Sequence, residues 1–112
     1  MILINIPLID GAPLPFFEQQ TVLDAVTYTL RFRWNNREGA WYLSILDEAS
    51  ETMLLADMKI VVPWPLNAYR SGNPMPGALI AFDSEGLDQD PALTDLGIRV
   101  KLYYVTGADL GR

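Results

Sequence analysis

The sequence predicts an all-β protein, either a small antiparallel β-sandwich or a partly open barrel with a long proline-rich loop. Apolar and polar residues alternate along several segments, which is the period of a strand with one buried face. Short turn sequences separate these segments, so neighbouring strands are expected to pair as an antiparallel meander. The chain has 112 residues and is half hydrophobic, so residues 1–112 are predicted to form a single β domain with one core.

A hairpin around the turn at residues 36–39 is the most clearly predicted element. Its first strand places these apolar residues on the predicted buried face: Val26, Tyr28, Leu30, Phe32 and Trp34. The polar residues on the solvent-facing side are Thr27, Thr29, Arg31 and Arg33. With Gly39 in the left-handed conformation, the loop sets a register in which no polar residue faces the core. That register pairs Leu30 with Ile45, Phe32 with Leu43 and Trp34 with Trp41.

The other predicted strands lie between turn-rich segments. They span residues 1–9, 16–22, 53–62, 78–82 and 98–105, with turns at 23–25, 48–51 and 83–86. Residues 63–76 contain four prolines, which cannot donate to a strand ladder, so a long loop with one helical turn near 66–69 is predicted. Residues 88–97 are predicted to be turn-like, and the tail 106–112 to be frayed or used in assembly.

The composition excludes several classes of function. The chain has no cysteine and no histidine, so disulfides, thiolate metal sites and catalysis through serine–histidine or cysteine–histidine pairs are ruled out. The net charge of −6 disfavours nucleic acid and membranes as partners, because nucleic acid and anionic lipid both attract basic surfaces. Residues 1–6 are too short for a signal peptide or a membrane span. No cofactor and no metal are predicted.

Two groups of carboxylates need a separate interpretation. The acidic residues near the last two predicted strands are Asp83, Glu85, Asp88, Asp90 and Asp95. Their oxygens suit calcium, but their spacing does not match an EF-hand, and solvated loop charge is the favoured interpretation. The acidic residues in 47–51 cluster at a turn, which solubility alone explains, so a glycosidase-like carboxylate pair is the weakest functional hypothesis.

The candidates for partner binding are aromatic and basic: Trp64, Tyr69, Tyr42, Arg31 and Arg33. Trp64 is held extended between two prolines, and such an aromatic either stacks on a sugar, anchors a partner protein, or folds back to plug one end of the barrel. Tyr42 shares the solvent-facing side of the hairpin with the two arginines, a composition enriched at protein interfaces. A solvated face remains the alternative, and for the arginines an ion pair between subunits is a further one; both are favoured over phosphate binding.

A resemblance covers nearly the whole chain. The sequence opens with Asn5-Ile6-Pro7-Leu8, continues with hairpin strands at 28–35 and 39–47, and closes on Leu96-Gly97 followed by Leu102-Tyr103-Tyr104. This order resembles the small plug protein family of contractile-tailed phage baseplates, first described in a cyanophage. The family has no catalytic motif, so the resemblance assigns no chemical role to any residue.

The resemblance implies a non-enzymatic structural component of the virion tail baseplate, present in the host cytoplasm before assembly. It implies hub, spike, wedge, and tube or sheath initiator proteins as partners, in a symmetric assembly. The alternative function is a β-sandwich binding module, for carbohydrate or protein, that uses Trp64 and Tyr69.

Overall fold

The computed structural model describes residues 2–9, 11, 13–62, 65–67, 75, 77–86 and 89–107. Within these residues it contains strands and no helix: β1 (Ile2–Ile4), β2 (Phe16–Leu23), β3 (Val26–Asn35), β4 (Ala40–Leu46), β5 (Met53–Lys59), β6 (Ala78–Asp83) and β7 (Val100–Val105). They form two antiparallel sheets, a three-stranded sheet ordered β1-β7-β6 and a four-stranded sheet ordered β2-β3-β4-β5. The all-β prediction is confirmed, with two open sheets and no closed barrel in the described residues.

Local turn chemistry sets the register of β2, β3 and β4. The β2–β3 turn consists of Asp24 and Ala25, both with positive φ (51° and 64°), the backbone twist that two-residue hairpins require. The β3–β4 loop contains Gly39 at φ 70°, and Trp34 lies opposite Trp41. The predicted hairpin register is therefore confirmed, including the pairs Phe32 with Leu43 and Leu30 with Ile45.

The pairing of β4 with β5 is irregular. Its register shifts twice, between Leu43 and Ile45 and between Ile45 and Leu46. Asp57 lies in the first irregularity with φ 47°, and its amide donates to Ser44 Oγ over 2.9 Å. A serine hydroxyl thus replaces a ladder bond in the bulge. The predicted strand at 53–62 ends earlier, at Lys59.

β7 is the central strand of the three-stranded sheet, between β1 and β6. The predicted strand at 98–105 begins only at Val100, because residues 95–98 turn: the Ile98 amide donates to Asp95 O over 3.0 Å and Gly97 has φ 84°. The predicted strand at 1–9 is likewise shorter, ending at Ile4. The predicted helical turn at 66–69 extends beyond the described residues.

The two sheets bury one hydrophobic core between them. On the side of the four-stranded sheet, Phe17 stacks on Phe32 with ring centroids 4.6 Å apart. The rings of Phe17 and Trp41 meet edge to face, with centroids 6.0 Å apart. Trp41 is fully buried, and its indole N–H donates to Ala92 O over 3.1 Å, which fixes the segment before β7. Trp34 is only partly buried beside it, so the tryptophan pair closes one end of the core.

Tyr104 of β7 links the two sheets at the other end of the core. Its hydroxyl donates to Asp24 Oδ2 over 2.5 Å and accepts the Gly77 amide over 3.0 Å, while the side chain is fully buried. Asp24 also accepts the Gly107 amide over 3.0 Å. The hydrogen bonds from Tyr104 and Gly107 lower the pKa of Asp24, and burial together with Asp24 raises the pKa of Tyr104. The β2–β3 turn is thereby tied to β7.

The predicted solvent-facing side of the hairpin is only partly exposed. Thr29, Ser44 and Leu46 are buried there, which contradicts the simple alternation. The β4–β5 turn contacts this side at Thr29, whose Oγ1 donates to Glu48 O over 3.4 Å and accepts from Ser50 Oγ over 3.1 Å. Ser44 is engaged by the amide of Asp57 in the β5 bulge. Val26, at the strand end, is 47% exposed although the pattern placed it in the core.

Candidate functional site

The candidate site is the exposed part of the side of the four-stranded sheet that faces away from the core. We call it the outer sheet face and define it by Arg31, Arg33, Tyr42 and Lys59 with their acidic partners. The structure brings the three predicted hairpin residues together, since Arg33 pairs directly with Tyr42 across β3 and β4. The Arg33 guanidinium carbon lies 5.1 Å from the centroid of the Tyr42 ring, within the range of a cation–π contact. Arg31 lies two positions along the same face.

Every cation of the outer sheet face has an acidic partner within the chain. Arg31 Nε lies 2.8 Å from Glu18 Oε2 of β2. Arg33 is 3.6 Å from Asp57, and Lys59 Nζ is 3.2 Å from Glu38 Oε1. The six side chains of these pairs come from β2, β3, β5 and the loop between β3 and β4. Three positive and three negative groups cancel, so this face attracts anions weakly, and phosphate binding is disfavoured on geometry as well as on sequence.

Glu38 joins the aromatic and basic parts of the face. It accepts the Tyr42 hydroxyl and pairs with Lys59. The hydrogen bond from Tyr42 and then that from Lys59 lower the pKa of Glu38, while the same carboxylate raises the pKa values of Tyr42 and Lys59. Because these paired side chains are 39–66% exposed, each pair is worth little in water, and a partner protein can replace it at small cost.

The acidic loop is organised around a cation of the protein itself. Arg99 binds the carboxylates of Asp83 and Asp95, the second over 3.0 Å, and it also donates to Gln89 O and Asp90 O over 3.2 and 3.3 Å. The Asp83 side chain is fully buried in this arrangement and Arg99 is 11% exposed. The favoured interpretation of solvated loop charge is therefore wrong for Asp83 and Asp95, which form a largely buried ion cluster.

The pKa values in this cluster follow from the same contacts. Burial alone would raise the pKa of Asp83, but the amides of Glu85 and Gln89 and the Arg99 guanidinium hold it below its ordinary value. The hydrogen bond from Arg99 lowers the pKa of Asp95. Among the described residues, no group of three or more acidic side chains is arranged to hold a metal ion.

Trp64 and Tyr69, the loop aromatics predicted to bind a partner, lie outside the described residues, as does Asp88 of the acidic group. Part of the same segment is described next to β6. Pro65 pairs with Ile80, and the buried Asn67 side chain donates to Gly77 O over 3.1 Å and accepts the Leu79 amide over 2.9 Å. Asn67 therefore anchors the described part of this segment to the core.

One polar residue that sequence reasoning missed is Gln19. It lies on β2 between Phe17 and Thr21, in the register whose side chains face inward opposite Leu30. Its Oε1 is buried and has no hydrogen-bond partner among the described residues. The signal was present in the sequence: Phe17, Gln19, Thr21 and Leu23 share one face by alternation, and glutamine is the one long polar side chain among them.

The described residues contain no helix with the length and apolar character needed to cross a membrane. A search of curated proteins finds no match to this sequence. A model of the protein family described as "Cyanophage baseplate Pam3 plug gp18" matches residues 3–107, which span both sheets and nearly the whole chain. The predicted resemblance is confirmed by this match: the chain belongs to the cyanophage baseplate plug family.

Proposed function

We propose that this protein is a non-catalytic, hub-associated plug of a contractile phage tail baseplate. The single observation that carries the proposal is the family match across residues 3–107. Membership of a baseplate plug family supports a structural role in the virion tail. The contractile type of tail, the position at the hub and the absence of catalysis are the parts that the proposal adds.

The proposed partners are other baseplate proteins: hub, spike, wedge, and tube or sheath initiator subunits, arranged in a symmetric assembly. Before assembly the protein is proposed to reside in the host cytoplasm. The absence of cysteine fits this, because reduced compartments do not support structural disulfides. Net charge −6 makes basic surfaces on the neighbouring subunits the favourable ones electrostatically.

Two surfaces are proposed to contact these partners. The first is the outer sheet face with Arg31, Arg33 and Tyr42, whose weak internal ion pairs can exchange for pairs with a neighbour. The second is the proline-rich segment with Trp64 and Tyr69, because aromatics fixed on a loop concentrate binding energy. Residues 1–112 are proposed to act as one domain.

Deletion of the gene in the phage or prophage that encodes it tests the proposal. We expect particles without complete baseplates, seen by electron microscopy, and a loss of infectivity that a plasmid copy restores. Mass spectrometry of purified wild-type virions should recover the protein. Complete baseplates in the deletion strain, or virions that lack the protein, would contradict the proposed function.

Point variants in the complementing copy test the two surfaces. Arg33→Ala is expected to lower incorporation into virions, whereas Lys101→Ala on the other sheet removes the same charge and is the control. Trp64→Ala is expected to leave the isolated fold intact and to weaken incorporation, by about 2 kcal/mol or more if Trp64 is an anchor. If Trp64→Ala unfolds the isolated protein, Trp64 belongs to the core and the contact assigned to it is wrong.

A further inference from the structure

The four sheet edges of the structure differ in how they are closed. At one edge, β5 is distorted by two register shifts in its pairing with β4, and at another, β1 is only three residues long. The edge at β6 is covered, since Pro65 bridges to Ile80 and the Leu66 amide donates to Leu79 O over 2.7 Å. β2 is the exception: it has eight residues in unbroken register with β3, and no described segment pairs with its other side. Such an edge is a template for another strand.

The hairpin geometry shows which backbone groups of β2 are unpaired. The turn at Asp24 and Ala25 closes on the pair Leu23 and Val26, and at the other end the Trp34 amide donates to Pro15 O over 2.8 Å. In an antiparallel ladder the bonded pairs alternate, so every second residue of β2 bonds to β3. The residues between them turn their N–H and C=O groups toward the free edge. These are Phe16, Glu18, Gln20 and Val22, of which the last three lie on or next to the stretch that borders the groove described below.

A groove runs along this free edge. It encloses about 550 Å³ and lies between residues 19–22 of β2 and residues 3–7, which comprise the end of β1 and the segment after it. None of these lining residues is charged. Leu3 and Val22 are exposed there at 45% and 62%. The groove thus combines free backbone hydrogen-bonding groups on one side with an apolar, uncharged surface on the other.

Gln19 gives this groove an unsatisfied polar atom. Its Nε2 donates to Thr21 Oγ1 over 3.3 Å, while its buried Oε1 has no donor in the described part of the chain. Leaving a buried acceptor unpaired destabilises a protein, so such an atom in a native structure needs an explanation. Gln19 also lines the groove, so a rotation of its side chain would bring Oε1 within reach of a backbone N–H of a strand lying there.

We propose that this groove receives an extended, uncharged segment of another baseplate protein, which adds to β2 as a fifth strand and donates to Gln19 Oε1. The identity of the partner as a baseplate protein rests on the proposed function. At a strand rise of about 3.4 Å per residue, residues 18–22 span about 14 Å, which suits four or five residues of the partner. A lone segment is inferred rather than β2 of a second copy, because that strand is already bonded into a four-stranded sheet, whereas the groove lies between β2 and residues 3–7, which begin in the other sheet.

Hydrogen exchange measured on the free protein and on purified baseplates tests this inference. In the free protein the amides of Glu18, Gln20 and Val22 should exchange fast, while those of Gln19 and Thr21, bonded to β3, exchange slowly. In the baseplate the three outward amides should slow by at least about tenfold, as newly hydrogen-bonded amides do. Unchanged exchange in baseplates that contain the protein would overturn the inference and leave the proposed function standing. Baseplates without peptides of this protein would overturn both.

The free protein tests the alternative occupant. If the three outward amides become protected as its concentration rises, β2 pairs with a second copy, and the inference of a different partner is wrong. Exchange that is independent of concentration is the expected result.

Two substitutions at one position separate the backbone from the side chain. Gln20→Pro removes an outward amide and leaves the bonds to β3 in place, which an edge strand tolerates. Gln20→Ala removes the same side-chain bond to Glu48 and keeps the amide. Incorporation into virions should fall at least about tenfold for Gln20→Pro and stay near wild type for Gln20→Ala. Equal incorporation of the two variants would overturn the inference.

If Gln20→Pro fails to fold, Gln19→Leu takes its place. This variant removes the unpaired acceptor and keeps an apolar side chain of similar size. The free protein should then unfold at no lower urea concentration than wild type, while incorporation falls. Wild-type incorporation of Gln19→Leu would overturn the inference.

Discussion

Removal of one hydroxyl, in Tyr104→Phe, should destabilise the fold strongly. The hydroxyl is fully buried, donates to Asp24 Oδ2 over 2.5 Å and accepts the Gly77 amide over 3.0 Å. A hydrogen bond to a charged group contributes about 1.5–3 kcal/mol, and the Gly77 N–H would also lose its acceptor at a cost of about 1–3 kcal/mol. Because phenylalanine avoids burying the hydroxyl, we expect a net loss of about 2–4 kcal/mol.

Urea unfolding followed by tryptophan fluorescence measures this loss, since the buried Trp41 reports on the core. Tyr103→Phe is the matched control, because Tyr103 is on the same strand but only partly buried. Asp24→Asn keeps a residue that tolerates positive φ and removes the charge, so the double variant gives the coupling between the two side chains. A loss below about 0.5 kcal/mol for Tyr104→Phe would refute the role assigned to this contact.

Three further predictions concern stability. Gly77→Ala should cost about 2 kcal/mol or more, because its Cβ would lie 2.2 Å from Val105 O and 2.5 Å from a Tyr104 ring atom; wild-type stability in urea would contradict this packing. Arg99→Gln should lower the melting temperature far more than Arg31→Gln, because Arg99 neutralises a fully buried carboxylate and Arg31 a half-exposed one; equal effects in calorimetry would show that the Arg99 cluster is solvated. The free energy of unfolding should be constant between about pH 5 and 8, since the chain has no histidine. It should fall as the pH drops through 3.8 and below, because the lowered pKa values in the folded state make the unfolded chain bind protons first, and stability that rose on acidification would contradict this sign. The residues concerned are Asp24, Asp47, Asp83 and Asp95, together with Glu38, whose pKa is lowered from an ordinary value of 4.5.

The hairpin could be predicted because its determinants are local. Alternation over residues 26–34 and a glycine suited to positive φ fix both the strands and their register. Arg33 and Tyr42 were placed together for the same reason, since they are cross-strand neighbours.

The parts that sequence reasoning missed depend on contacts between distant segments. Thr29 is buried on the outer side, where Glu48 and Ser50 of the β4–β5 turn contact it, and nothing in the alternation of β3 specifies that. Asp83 and Asp95 were assigned to solvent because their partner, Arg99, comes later in the chain and reaches them only through the fold. The free edge of β2 could not be recognised until the order of strands in the sheet was known.

Cryo-electron microscopy of baseplates purified from the phage that encodes this protein tests the central claim most directly. We predict density at the baseplate hub that fits the two antiparallel sheets, with the proposed partner strand alongside β2. A complete baseplate map in which no density fits this fold would contradict the account.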